Sequence, residues 1–451
     1  MSEPADASSR ESSRPLDGVE EDAGVADTGV AEDAQETPAR TPSVWRNQSY
    51  VRLWIGETLS QAGEQVGTLA IPVLAVLVLN ATAEQVGLLS AAETLAFLVI
   101  GLPVGAWVDR MRKRRVMMTA DVVRALALAS IPVLWWLGLL QVWQLYVVGA
   151  VVGGATAFFD VTYQSYVPRL VEPKQMTSAN SGLETSAQVA RVAGPAVSGG
   201  LLNVMPAPLV VLATSIGYVF SFGFVASIRD AEPKHVKTPQ ASLAREIGEG
   251  LRFVFGNRLL RRIVMMTGAS NLFEGLVTTL SSLFVLRELG LSPAVYGIVG
   301  GVSAVGGILG AIAAPALSRR IGEGRIIVVA ALVSAIAPFL IPLAAAVPSA
   351  SIALLICGDF FFMFAVLVYN ISQLSFRQRI CPPPLLGRMN ASIRFVVWGV
   401  IPIAGVAAGL LGGGIGVVPT MWLGCVLGLL SCGIVVFSPL IRMRTLPDAP
   451  A

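Results

Sequence analysis

From about residue 50 to residue 441 the chain is a succession of apolar runs, each about 20 to 28 residues long. The hydrocarbon core of a bilayer is ~30 Å thick, and a helix crosses it in about 20 residues. Buried helices of soluble proteins are shorter and keep a polar stripe. Charge is scarce, at 14% of residues against 54% hydrophobic, where a soluble domain carries roughly 25%. Backbone groups in lipid must be paired within their own segment. These features read as an all-α integral membrane chain, with spans at 53–79, 84–108, 115–138, 143–167, 177–203, 207–228, 261–286, 293–317, 325–346, 351–376, 389–411 and 420–441.

The connections between spans alternate in charge. One set is basic: Arg110 and Arg112 to Arg115, then Arg169 and Lys174, then Arg319, Arg320 and Arg325, then Arg377, Arg379 and Arg388. The other set is short, with Arg287 as its one cation. The positive-inside rule then puts both termini in the cytoplasm of a cell-membrane protein. Residues 1–45 hold eleven acids and three arginines and almost no aromatics, the composition of a disordered acidic tail. The organisation expected is a six-helix bundle over 46–228, a cytoplasmic linker over 229–260, a second bundle over 261–441 and a short tail over 442–451. Within the linker, Leu243 to Phe255 has the apolar spacing of a helix lying on the membrane surface.

Several function classes have no material here. Cys357, Cys381, Cys425 and Cys432 match no zinc or redox spacing, and His235 is the single histidine. No phosphate-binding Gly-x-x-x-x-Gly-Lys loop occurs. No enzyme activity, cofactor, metal or nucleic-acid partner is therefore expected. The partners expected are a small molecule, protons and lipid, with the chain acting as a monomer.

The two halves repeat at a nearly fixed offset. Asn47, Arg52 and Glu64 recur as Asn257, Arg262 and Glu274, each 210 residues on. Asp160 meets Asn370 and Asn180 meets Asn390 at the same offset. A six-plus-six parallel duplication is the organisation of the major facilitator architecture.

Five stretches carry a family resemblance. Gly105-Ala-Trp-Val-Asp109-Arg110, followed by Arg112 to Arg114, resembles the cytoplasmic loop signature of the major facilitator superfamily, with Arg112 where glycine is frequent. Its C-terminal copy, Ser318-Arg319-Arg320, has lost the acid. Gly194-Pro195-Ala-Val-Ser198-Gly199 resembles the antiporter signature of that superfamily's exporters, although small-residue packing alone produces similar runs. Asn370 to Gln378, Leu386 to Asn390 and Glu249 to Phe253 resemble the proton-coupled drug-exporter subgroup that includes macrolide-efflux and enterobactin-exporter proteins. The resemblance implies a twelve-helix major facilitator fold in two six-helix bundles. It implies a latch at Gly105, Asp109, Arg110 and Arg114, and an antiport motif at Gly194, Pro195 and Gly199. It also implies a central cavity lined by the first, fourth, seventh and tenth spans.

Each of those four spans holds an acid: Glu64, Asp160, Glu274 and Asp359. Ionisable groups at such depth are costly and mark functional paths. Glu64 is the first candidate for proton or substrate coupling, with Glu274 and Glu93 secondary and Asp160, Arg191 and Asp359 as further members. Fixed ion pairs are the competing explanation. Arg191 is expected to pair with an acid, for which Glu184, Asp160 and Asp121 are the candidates, and Asp121 with Arg124 is expected to tie the third span to the loop latch. The reading is a proton-driven exporter of an amphipathic drug, antibiotic or siderophore-like molecule. Uptake, a lipid-like cargo or a non-transporting sensor are its rivals.

Overall fold

The computed structural model describes residues 43–108, 111–229, 243–382 and 385–444. The acidic tail up to residue 42, the Asp109-Arg110 pair of the expected latch and His235 lie outside these residues.

All regular structure among the described residues is helical. The first half comprises α1 (Gln48–Val73), α2 (Ala83–Val108), α3 (Lys113–Trp136), α4 (Val142–Leu170), α5 (Met176–Val204) and α6 (Ala207–Ala226). The linker helix is α7 (Leu243–Gly256), where the periodicity places it. The second half comprises α8 (Arg258–Leu283), α9 (Pro293–Ile321), α10 (Glu323–Ile336) continued by α11 (Leu340–Leu343), α12 (Ser351–Ile380), α13 (Leu386–Trp398) continued by α14 (Ile401–Ile415), and α15 (Val417–Ser431) continued by α16 (Gly433–Val436). Ten spans among the described residues are long and apolar enough to cross a bilayer. α2 and α5, of 26 and 29 residues, complete the twelve. α5 falls short in apolarity because it carries Glu184, Gln188 and Arg191. The eleventh span, expected to be continuous, is broken at Gly399–Val400, two residues before Pro402, which has no N–H to carry the ladder through.

The duplication has a structural content. Asn47 and Asn257 both cap a first helix: each side-chain oxygen accepts from two backbone amides, at 3.0 and 3.2 Å in one half and 3.0 and 3.1 Å in the other. Arg52 donates to the Ser227 carbonyl at 2.5 Å and Arg262 to the Phe437 carbonyl at 3.3 Å, tying the first span of each half to the end of its last. Both first spans also finish in a single π-turn, Leu74–Val78 and Phe284–Glu288.

The halves meet along two seams, α2 against α14 and α5 against α9. Glycines set their spacing: a methyl group at Gly87 would strike the backbone of Gly405 and Gly409, and one at Gly297 would strike the Pro195 carbonyl and Gly199. A buried apolar cluster joins the halves at the end opposite α7, running from Leu69, Val73 and Leu74 to Leu276, Leu280 and Phe284. At the α7 end each half has its own cluster, one around Tyr50, Phe159 and Tyr166, the other around Leu260, Ile327 and Phe376. The molecule is thus shut at one end.

One arginine fastens the shut end. Arg287 donates to the Val76 carbonyl at 2.6 Å and to the Ala81 carbonyl at 2.7 Å, reaching from the second half onto the π-turn of the first. A cation at a helix C-terminus complements the exposed carbonyls there. The repeat-related position is Leu77, whose side chain has no donor, so among the described residues this fastening has no counterpart in the first half. Arg287→Ala is expected to lengthen and broaden the distances between spin labels paired across this end. A distribution identical to that of the unaltered chain would rule the fastening out.

Candidate functional site

A cavity of about 720 Å³ lies between the halves. α1 contributes Glu64, Thr68 and Ile71, α2 contributes Glu93, Thr94 and Leu98, and α4 contributes Val148 to Val161 positions including Gly149 and Gly153. Leu128 of α3 and Thr214 and Tyr218 of α6 complete the first half's share. The second half supplies Asn390, Arg394, Phe395 and Trp398 from α13 and Ile401 from α14. Of the four spans that the resemblance implies, the first and fourth contribute to this lining and α8 and α12 do not among the described residues, while the second and eleventh spans do. Glu274 and Asp359 therefore stand outside this lining. They lie within electrostatic reach of each other, and Asp359 also of Tyr296 on α9. The Asp359 carbonyl accepts from Ser303 at 3.1 Å, which fixes α12 on α9.

Close packing positions the two acids that do line the cavity. Gly63 meets Thr214 and Gly217 of α6, so α1 sits hard against α6 one residue before Glu64. On the other side of Glu64, a side chain at Gly194 of α5 would overlap Gln65, and Ser198 donates to the Val66 carbonyl at 2.8 Å. Glu93 is seated on α4, its side chain against Gly149 and its carbonyl against Gly153. The Gly194–Gly199 run thus works as a joint between three helices. Gly194 and Ser198 receive α1, while Pro195 and Gly199 receive Gly297 and Gly300 of α9 in the other half. Among the described residues neither Glu64 nor Glu93 makes a hydrogen bond or an ion pair. Arg394 likewise has no such partner, and its guanidinium lies over the Trp398 ring, 4.9 Å from the centroid.

Asp160 is half-buried on α4 and feels the charges of Glu64, Arg124 and Arg394. Arg191 is exposed on α5 and does not pair with Glu184, whose carboxylate accepts from Gln188 at 2.6 Å. Seven residues on a helix separate Glu184 and Arg191 by about 10 Å of axial rise, too far for direct contact. The acid within reach of Arg191's charge is Glu64.

The expected tie between the Asp121–Arg124 pair and the loop is replaced by a tie inside the bundle. Arg124 is 1% exposed and donates to Asp121 at 2.5 Å, while Ser221 of α6 donates to the other carboxylate oxygen at 2.8 Å. The guanidinium is sandwiched between the rings of Phe159 and Tyr218, 4.4 and 4.2 Å from their centroids. Of the expected latch, Arg114 donates to the carbonyls of Val225 and Ala226, closing the exposed end of α6. Lys113 donates to the Ser165 carbonyl at 2.9 Å. Gly105 lies on α2 four residues before Asp109.

Sequence reasoning passed over Glu57. It is 3% exposed, accepts from Gln61 at 3.0 Å with one oxygen, and has no partner on the other. Its position two turns before Glu64 on the same helix face was the available signal.

A sequence profile of transmembrane secretion effectors matches residues 40–450. The multidrug efflux pump Tap of Mycolicibacterium fortuitum is 27% identical over 403 residues, 86% of this chain and 95% of that protein. Macrolide efflux protein A of Streptococcus pyogenes is 25% identical over 228 residues, 49% of this chain and 55% of that one. Among solved structures, a bacterial homologue of the iron transporter ferroportin in its inward-facing state superposes with a TM-score of 0.69, at 17% identity over 87% of this chain and 98% of that one. The same homologue in its outward-facing state reaches a TM-score of 0.54, at 17% identity over 86% and 98%.

Proposed function

The chain belongs to the family of transmembrane secretion effectors, and on that premise we propose that it exports an amphipathic small molecule in exchange for protons. The observation that carries this reading is Glu64. It is an acid on a membrane-spanning helix that lines the cavity between the halves without a hydrogen bond or ion pair among the described residues. A structural acid at such depth is paired, as Asp121 is by Arg124 and Ser221. An unpaired one is free to exchange a proton or a cationic group.

The positive-inside distribution supports placing the α7 end and both termini in the cytoplasm. The shut end is then outer and the cavity is offered to the cytoplasm, the state in which an exporter loads cargo. Alternating access follows if the glycine seams part and the α7 ends close. The Gly194–Gly199 joint connects that motion to Glu64, because the same stretch of α5 touches both α1 and α9. Relatives named as multidrug and macrolide efflux proteins support export over uptake.

Everted membrane vesicles from cells producing the chain test the proposal. Respiration acidifies their interior, and a fluorescent amphipathic probe such as norfloxacin is expected to accumulate until nigericin collapses the pH gradient. Accumulation indifferent to nigericin would refute proton coupling, and accumulation in right-side-out vesicles alone would mean uptake.

A further inference from the structure

Charge on the cavity wall is split between the halves. Glu64 and Glu93 line it from α1 and α2, and Arg394 lines it from α13. Among the described residues none of the three has a hydrogen bond or ion pair. Asp160 feels Arg394, and Arg191 is felt by Glu64, but neither bonds across to its opposite. Water satisfies these groups while the cavity is open. Closure around a guest removes that water, and a charge left unpaired in a dried cavity is strongly unfavourable. Each group must then find a partner on the guest or lose its charge. The two acids can lose theirs by binding protons. An arginine cannot be discharged in a protein, so Arg394 makes a demand that protons do not meet.

A guest that is only a cation satisfies the acids and is repelled by Arg394. A guest that is only an anion does the reverse. The planar guanidinium recognises carboxylates through paired parallel hydrogen bonds. Its place over Trp398 leaves a guest's carboxylate beside an aromatic surface. Apolar walls from Ile71, Leu98 and Leu128 complete a chamber of about 720 Å³, within the range that holds drug-sized molecules.

We propose that the cavity selects flat aromatic zwitterions, with the guest's anionic group on Arg394, its ring system beside Trp398 and its ammonium group towards Glu64 and Glu93. The proposal rests on the reading of this cavity as the cargo site.

The test is equilibrium dialysis of the purified full chain, without any gradient, against three probes of one scaffold type. Norfloxacin is the zwitterion, norfloxacin ethyl ester the cation and nalidixic acid the anion. The expected result is that norfloxacin binds at least about tenfold more tightly than either singly charged probe, the ratio that one satisfied ionic contact supplies. Arg394→Gln is expected to remove the advantage over the ester, and Arg394→Lys to keep part of it. Glu64→Gln with Glu93→Gln is expected to remove the advantage over nalidixic acid. An ester that binds the unaltered chain as well as norfloxacin overturns the proposal, and this comparison needs no variant. So does an advantage that survives Arg394→Gln, or no saturable binding of any probe. Ordered binding without vesicle flux would sink the export reading alone, and flux without the ordering would sink this one alone.

Discussion

Glu64→Gln is expected to lower gradient-driven efflux at least about tenfold, the loss that ~1.4 kcal/mol of coupling represents, with the protein reaching the membrane in normal amount. Glutamine keeps the shape of the side chain and can occupy the same place on the cavity wall. It cannot take up and surrender a proton, and it offers no negative charge to a cationic group. Nothing in the described structure depends on the carboxylate as a bonding partner, so folding is expected to survive. Exchange of probe down its own gradient is expected to persist while movement against it fails. Full uphill transport by this variant, measured in the vesicles described above, would remove Glu64 from the mechanism. Glu274→Gln, the same change at the repeat-related position, is expected to cost less, because Glu274 stands outside the described lining of this cavity.

Arg124→Met is expected to be the most damaging single change to stability. The pair with Asp121 is buried, at 1% and 0% exposure. Removing one partner of such a pair leaves an uncompensated charge and costs about 3–5 kcal/mol. The variant also loses the stacking of the guanidinium between Phe159 and Tyr218, which holds α3 to α4 and α6. Thermal unfolding of the detergent-purified protein measures the effect. The double variant with Asp121→Leu is expected to recover much of the loss, because no buried charge then remains. A melting temperature for Arg124→Met equal to that of the unaltered chain would show that the pair contributes little.

The span positions were legible in the sequence because lipid imposes a minimum apolar length on every crossing. The offset of 210 residues was equally legible, and its cause is local: an N-cap at Asn47 and Asn257, and a carbonyl hold at Arg52 and Arg262. What the sequence concealed depends on which face of each helix turns inward. Asp121 and Arg124, three residues apart on one helix, read as a connection to the loop. Ser221 and the rings of Phe159 and Tyr218, distant in sequence, draw them into the bundle instead. Glu93 was recognised as an acid, but its seat on Gly149 and Gly153 required the α2–α4 contact to be seen. Arg394 was visible as a charge on the eleventh span. Its lack of a hydrogen-bond or ion-pair partner among the described residues and its place over Trp398 belong to the assembled cavity and to no local pattern.

The break at Gly399–Val400 divides the labour of one membrane crossing. α14 is locked against α2 by Gly405 and Gly409, while α13 bears Arg394 and Trp398 and is gripped by α7 through the Glu249–Arg388 ion pair at 2.5 Å. One crossing is thus held at two separate places, by the α2 packing of α14 and by the α7 packing of α13, so on the proposal above a cargo bound at Arg394 would bear on the piece that the linker helix holds.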